Sequence, residues 1–142
     1  MNILIHIIQG ILITFGSYGY CDEYAWKYYY NQIRIEICTP QSKESMRDVL
    51  VHEIGHKYWH EDMTSVERKG YMEIYNDNFW DVNSYYREYS MTNIEEDFAD
   101  TFMYVILWKS LERNEWFYDK VKYIENNLQI LENSISLWLM MN

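Results

Sequence analysis

The sequence predicts an α/β fold with a small N-terminal sheet, a central helix and a helical C-terminal half. Two observations carry this expectation. The opening part of the chain is rich in β-branched residues and includes the strict alternation Ile33-Arg34-Ile35-Glu36-Ile37, whereas from Met46 onward apolar residues recur at helical spacing. A third observation marks the central helix. Val51-His52-Glu53-Ile54-Gly55-His56 sets two histidines one turn apart on one helical face, where both imidazoles can reach a single metal ion.

The chain has 142 residues, enough to bury a core without disulfide staples. No linker, repeat or low-complexity stretch interrupts it, so residues 1–142 are expected to form a single domain. Almost half the residues are apolar and one is proline, which excludes a disordered chain. The formal charge of −10 argues against a general nucleic-acid binder and would suit a basic peptide, although acidic surfaces also serve solubility. Cys21 and Cys38 are too few and too far apart for a disulfide framework or a thiolate metal site. Pairing and free thiols both stay open for them.

Taken in order, Met1 to Phe15 is apolar but interrupted by His6, Gln9 and Gly10. It lacks the basic start and small-residue cleavage site of a secretory signal, and it is too short and broken to span a bilayer. One or two core strands are expected there, with an intracellular protein as the default and localisation otherwise unknown. Gly16 to Tyr30 reads as a Gly- and Tyr-rich loop, its tyrosines half-buried packing or a wall facing substrate. Ile33, Ile35 and Ile37 form a half-buried strand, and with Pro40 following it this strand is the candidate sheet edge for an extended peptide.

Ser45-Met46-Arg47-Asp48 has the form of a capping box, so the central helix is expected from Met46 to about Trp59, buried through Val49, Leu50, Val51 and Ile54. Thr64-Ser65-Val66-Glu67 repeats that signal and opens a helix carrying Val66, Tyr71, Ile74 and Tyr75. Asn76 to Tyr86 reads as loop, holding Phe79 and Trp80 in a polar setting. Thr92-Asn93-Ile94-Glu95 opens a third helix with Ile94, Phe98, Phe102, Val105 and Ile106 on its apolar stripe. From Trp116, the spacing of Val121, Ile124, Leu128, Leu131 and Ile135 predicts a terminal helix that packs on the core.

The central motif implies chemistry. Glu53 sits beside the metal without binding it, the place for a general base toward a metal-activated water. A catalytic zinc site needs a third protein ligand and an open position. Asp62 lies where some zinc peptidases carry a last ligand, but Trp59 replaces the glycine that would turn the chain back to the metal. His60 continues the histidine face, yet one helix cannot easily wrap three successive histidines around one tetrahedral ion. Glu96 is the better candidate, at the start of a helix whose small Ala99 permits close approach to another helix. Asp100, one turn further on the same face, can accept the second N–H of a histidine and fix its tautomer. Glu95, Glu96 and Asp97 could equally complement the dipole at a helix N-terminus, and spacing leaves both readings standing.

The two motifs together resemble the catalytic domain of the anthrax toxin lethal factor and its relatives, including the Pro-Pro endopeptidases. These gluzincins follow an H-E-x-x-H helix with a segment of the form Y-x-x-T-N-x-x-E-x-F-A-E-x-F. Tyr89, Thr92, Asn93, Glu96, Phe98, Ala99, Asp100 and Phe102 fall in register, with Asp100 replacing the usual Glu. The resemblance spans roughly Ile33 to Leu131. It implies a zincin-like metallopeptidase fold, Zn2+ held by His52, His56 and Glu96, Glu53 as base, and Asp100 supporting a histidine. It also gives Tyr89 a role, a phenol that stabilises the oxyanion or protonates the leaving amine; without it nothing separates Tyr89 from the other tyrosines among 15.

The expected protein is a monomeric zinc endopeptidase acting on a peptide or protein substrate, with no nucleic-acid and no membrane partner. Two rivals are a SprT-like protease of DNA-bound proteins and a catalytically silent zincin-like binding module. The first would normally use a third histidine and fits the acidic balance poorly. The second is disfavoured by the intact Glu53.

Overall fold

The computed structural model describes residues 5–8, 11–15, 26–29, 34–37, 43–107 and 115–127, with side chains at 47–107 and 115–126. Four helices build the part that carries described side chains: α1 (Lys43–Lys57), α2 (Ser65–Asp77), α3 (Ile94–Leu107) and α4 (Glu115–Asn127). A π-helical turn, Tyr58–Asp62, continues α1, and 3₁₀ turns occupy Val82–Ser84 and Glu88–Thr92.

No strand and no sheet occur in that part, so the expected α/β zincin-like arrangement is corrected to a helical body around the candidate site. Strand backbone lies only ahead of it: β1 (Ile5–Ile8), β2 (Ile11–Phe15), β3 (Trp26–Tyr29) and β4 (Arg34–Ile37), in spatial order β1-β2-β4-β3. β4 pairs parallel with β2 on one side and antiparallel with β3 on the other, which overturns its reading as a sheet edge. Alternation reports one covered face and does not distinguish a central strand from an outer one. Trp26–Tyr29 was expected in a loop, but aromatic residues suit a pleated surface, and this segment is the outer strand lying beside α1. Cys21 and Cys38 lie outside the described residues, as do Leu128, Leu131 and Ile135.

Local signals explain most helix ends. α1 begins at Lys43, so Ser45 is inside it and the expected start at Met46 is corrected. A serine and an aspartate are tolerated in a helix whose apolar face is packed, because packing rather than propensity stabilises it. After Lys57 the helix widens, with Met63 N–H donating to Tyr58 O at 2.9 Å. Arg68 satisfies the carbonyls exposed there, donating to Trp59 O at 2.8 Å and 3.2 Å and to Met63 O at 3.1 Å. The capping box of α2 is complete: Glu67 N donates to Thr64 Oγ1 at 3.2 Å, and Thr64 N donates to Glu67 Oε2 at 2.8 Å. Val66, one of the apolar residues that α2 carries, is 78% exposed, because it lies about 140° around the helix from Tyr71. Tyr71 and Tyr75 face inward. For α3, Asn93 is the capping residue, its Oδ1 accepting from Glu95 N at 2.9 Å and Glu96 N at 3.0 Å.

α3 is buried over most of its surface, from Asp97 through Met103 and again at Val105 and Ile106. α1 packs chiefly against it, and the two backbones meet at Gly55 and Ala99. A Cβ placed on Gly55 would lie 2.9 Å from Ala99 Cα and 3.3 Å from Ala99 Cβ. α4 packs on α3 through Phe117, Val121 and Ile124, within the core that includes Val51, Ile54, Phe98 and Phe102. It also buries a lysine: Lys120 Nζ donates to Asp97 Oδ1 and to Ser84 O, each at 2.9 Å. Tyr71 Oη donates to the other oxygen of Asp97 at 2.8 Å. Burial pushes Asp97 up to about 6 against the pull of Lys120, and pushes Lys120 down against the pull of Asp97.

The Gly55 contact makes a direct prediction. Gly55→Ala drives a methyl group into the Ala99 backbone, so it should destabilise the protein by about 1–3 kcal/mol despite the better helix propensity of alanine. Chemical denaturation measures this, and a variant as stable as the parent would contradict the close crossing.

Candidate metal centre

The buried face of α1 presents His52 and His56, four residues apart, with ring centroids 4.8 Å apart and planes nearly perpendicular. His52 is 1% exposed, and Val51 and Ile54 beside it are core residues that fix the helix face. The facing side of α3 presents Glu96 and Asp100, also one turn apart. The Gly55–Ala99 approach brings the two faces within hydrogen-bond reach.

Three ligand-type atoms converge. Glu96 Oε2 lies 3.0 Å from His52 Nε2 and 3.2 Å from His56 Nε2, and the two nitrogens are 3.1 Å apart. His52 Nδ1 is 2.7 Å from Asp100 Oδ1, a buried contact in which the ring nitrogen donates to the carboxylate. That leaves Nε2 of the neutral ring as a bare lone pair facing a second carboxylate and a second imidazole. Such a group needs a cation or shared protons between its members. The separations are close to the edges of about 3.3 Å expected for a tetrahedral ion bound at about 2 Å, so the residues fit a small metal ion.

Burial opposes the charged form of His52, but the hydrogen bonds to Asp100 and Glu96 outweigh it and raise the imidazole to about 9. Burial likewise works against ionised Glu96, yet its contacts with His52 and His56 hold it well below the usual carboxylate range. Asp100 is also held low, burial being overcome by His52 and Arg87.

Glu53 and Glu96 compete for the role of third ligand. His52, Glu53 and His56 present ligand atoms that all lie within 4.8 Å of one another, a group that could hold a metal ion. Glu96 is nearer: Glu53 Oε1 is 3.9 Å from His52 Nε2, against 3.0 Å for Glu96. Glu96 Oε2 thus makes the tighter triangle with the two histidine nitrogens, and Glu53, 2% exposed, lies just beside it.

Tyr89 stands at the rim, 43% exposed, its ring 6.0 Å from that of His52. Burial and the neighbouring Glu96 push its phenol up to about 12, so it is protonated at neutral pH. His60 does not join the centre; it lies in the π-helical turn and bonds Glu95 at 3.0 Å. Asp62 pairs with Lys57 at 2.6 Å.

Two residues at the site were not foreseen from the sequence. Arg87 Nε and Nη2 each donate to one oxygen of Asp100 at 2.7 Å, and Ser90 Oγ donates to Asp100 Oδ2 at 2.7 Å. No motif marks either position. The available hint was chemical, since a buried carboxylate needs a full set of donors.

The shifts predict the pH behaviour of chelator-treated protein. His52 is raised from 6.5 to about 9, so the stability it contributes is complete below pH 6.5 and is lost as pH rises through about 9. Glu96 and Asp100 are depressed, so theirs is present above their ordinary values of 4.5 and 3.8 and is lost as pH falls below them. Thermal unfolding across pH should therefore show an alkaline decline between 6.5 and 9 that is absent from His52→Gln. No protein-family model, curated protein or solved structure matches the chain. What the centre does is accordingly inferred from the geometry of its own residues.

Proposed function

We propose that this chain is a zinc-dependent endopeptidase, similar in its site to the lethal-factor-like gluzincins. The convergence of His52 Nε2, His56 Nε2 and Glu96 Oε2 within 3.2 Å carries the reading, because two neutral imidazoles and one carboxylate suit zinc and leave a fourth position open. These three residues would hold the ion. When bound, zinc supplies a Lewis acid that polarises a peptide carbonyl and makes a water more acidic.

The remaining steps belong to the chain. Glu53 takes a proton from the attacking water as its oxygen bonds to the carbonyl carbon, then delivers that proton to the amine as the C–N bond breaks. Its burial beside His52 keeps bulk water from competing for the proton. Tyr89, neutral at working pH, donates a hydrogen bond to the oxyanion that develops on the former carbonyl. Asp100 holds His52 in the tautomer whose Nε2 lone pair faces Glu96 and His56. Among the described residues no helix is long and apolar enough to cross a membrane. The net charge of −10 favours basic stretches of a peptide or protein substrate over nucleic acid.

Two variants test this. Glu53→Gln should bind zinc at one ion per chain and lose cleavage of a proteome-derived peptide library; retained cleavage would sink the peptidase assignment. Glu96→Gln should weaken zinc binding by more than the roughly 10–100-fold typical when a group behind a ligand is changed. Wild-type affinity in that variant would remove Glu96 from the ligand set. Should the parent protein bind zinc and cut nothing, the site is a silent binding module.

A further inference from the structure

Asp100 is fully buried and accepts from every side. Oδ1 accepts from His52 Nδ1 and Arg87 Nη2, and Oδ2 from Arg87 Nε and Ser90 Oγ, all at 2.7 Å. Arg87 thus grips both oxygens with a planar fork, a geometry that fixes the rotation of the carboxylate as well as its place. The same residue is held at its backbone: its N–H donates to Ser90 Oγ at 3.3 Å, and its carbonyl accepts from Ser90 N at 3.0 Å. On its other side the guanidinium lies over the ring of Tyr89, 5.3 Å from the centroid. An exposed arginine pair usually contributes little. Here the partner has no access to water, and losing the fork would leave a buried carboxylate short of two donors.

We infer that Arg87 is a positioning residue that couples the metal-holding and oxyanion-binding halves of the site. Through Asp100 it fixes the Nδ1–H tautomer and tilt of His52, and through its stacking it sets the lean of Tyr89 over the same centre. The two halves come from different elements, α1 with α3 on one side and the 3₁₀ turn Glu88–Thr92 on the other. Arg87 is the N-terminal neighbour of that turn and its side chain reaches α3, so one residue registers the turn against the metal helix pair. The inference rests on the peptidase reading for Tyr89, whereas the link to His52 stands on metal binding alone.

The test uses Arg87→Lys and Arg87→Met in the full chain. Zinc affinity is read by competition with a chromophoric chelator, unfolding temperature is measured on the chelated protein, and kcat and KM are measured separately. Both variants should bind zinc about 10–100-fold more weakly, with no rescue by lysine, because an ammonium group cannot bond both carboxylate oxygens in one plane. Turnover should fall in kcat with KM within about twofold of the parent, since the residue orients groups that act in the transition state and does not hold substrate. Zinc affinity within about twofold of the parent, or full rescue by lysine, overturns the inference. A lower unfolding temperature with unchanged zinc affinity assigns Arg87 a merely structural role and also overturns it. If Arg87→Met does not fold, Arg87→Lys decides. A parent protein that binds zinc without cleaving peptides defeats the peptidase reading, and the affinity comparison still decides the link from Arg87 to His52.

Discussion

Helices α1 and α3 touch backbone to backbone where Gly55 meets Ala99, and the candidate site depends on that contact. Side chains as short as aspartate and glutamate reach across a helix pair only when the axes lie unusually close. At Gly55 the absence of a side chain and at Ala99 the presence of only a methyl group allow it. Gly55 stands between Glu53 and His56, and Ala99 between Glu96 and Asp100. The residues that permit the approach are thus interleaved with those that use it. This placement has a cost, because glycine weakens a helix interior by about 1 kcal/mol. The apolar packing of Val51, Ile54, Phe98 and Phe102 around the crossing offsets it.

Around this crossing, charge is arranged in a chain rather than as isolated pairs. Arg87 faces Asp100, Asp100 faces His52, and His52 faces Glu96. Each carboxylate has a donor on either side, so the negative charge that burial would otherwise penalise is distributed among partners. Lys120 does the same for Asp97. The first two turns of α3 therefore carry three carboxylates at 96, 97 and 100 pointing into the protein, each with a named counterpart. The complementing of a helix dipole by acidic residues does not account for such a set, since dipole complementation asks only for exposed charges near the first turn.

How much of this was legible in the sequence follows from the reach of each signal. The metal motif is local, four residues on one helix, and spacing alone places His52 and His56 together. Glu96 and Asp100 needed a second helix, so spacing left them ambiguous; the small residue Ala99 was the clue that the helices come close. Tyr89 came from resemblance alone. Arg87 and Ser90 escaped because nothing in a single sequence says which arginine will meet a carboxylate thirteen residues on or which serine will turn inward. The same limit applies to the fold. Alternation at Ile33 to Ile37 carries no information about neighbours, so it does not separate a strand with partners on both sides from an edge.

Glu96 and Asp97 stand side by side at the head of α3 and face opposite situations. Asp97 is neutralised by Lys120, a cation that the chain supplies from α4. Glu96, under the proposed reading, awaits a cation supplied from outside. Adjacent carboxylates are thus matched by cations of different origin, Asp97 by a lysine of the fold and Glu96, on that reading, by an ion. The internal pair ties the head of α3 to α4 through Asp97, so the packing of that helix and the chemistry of the site rest on different side chains.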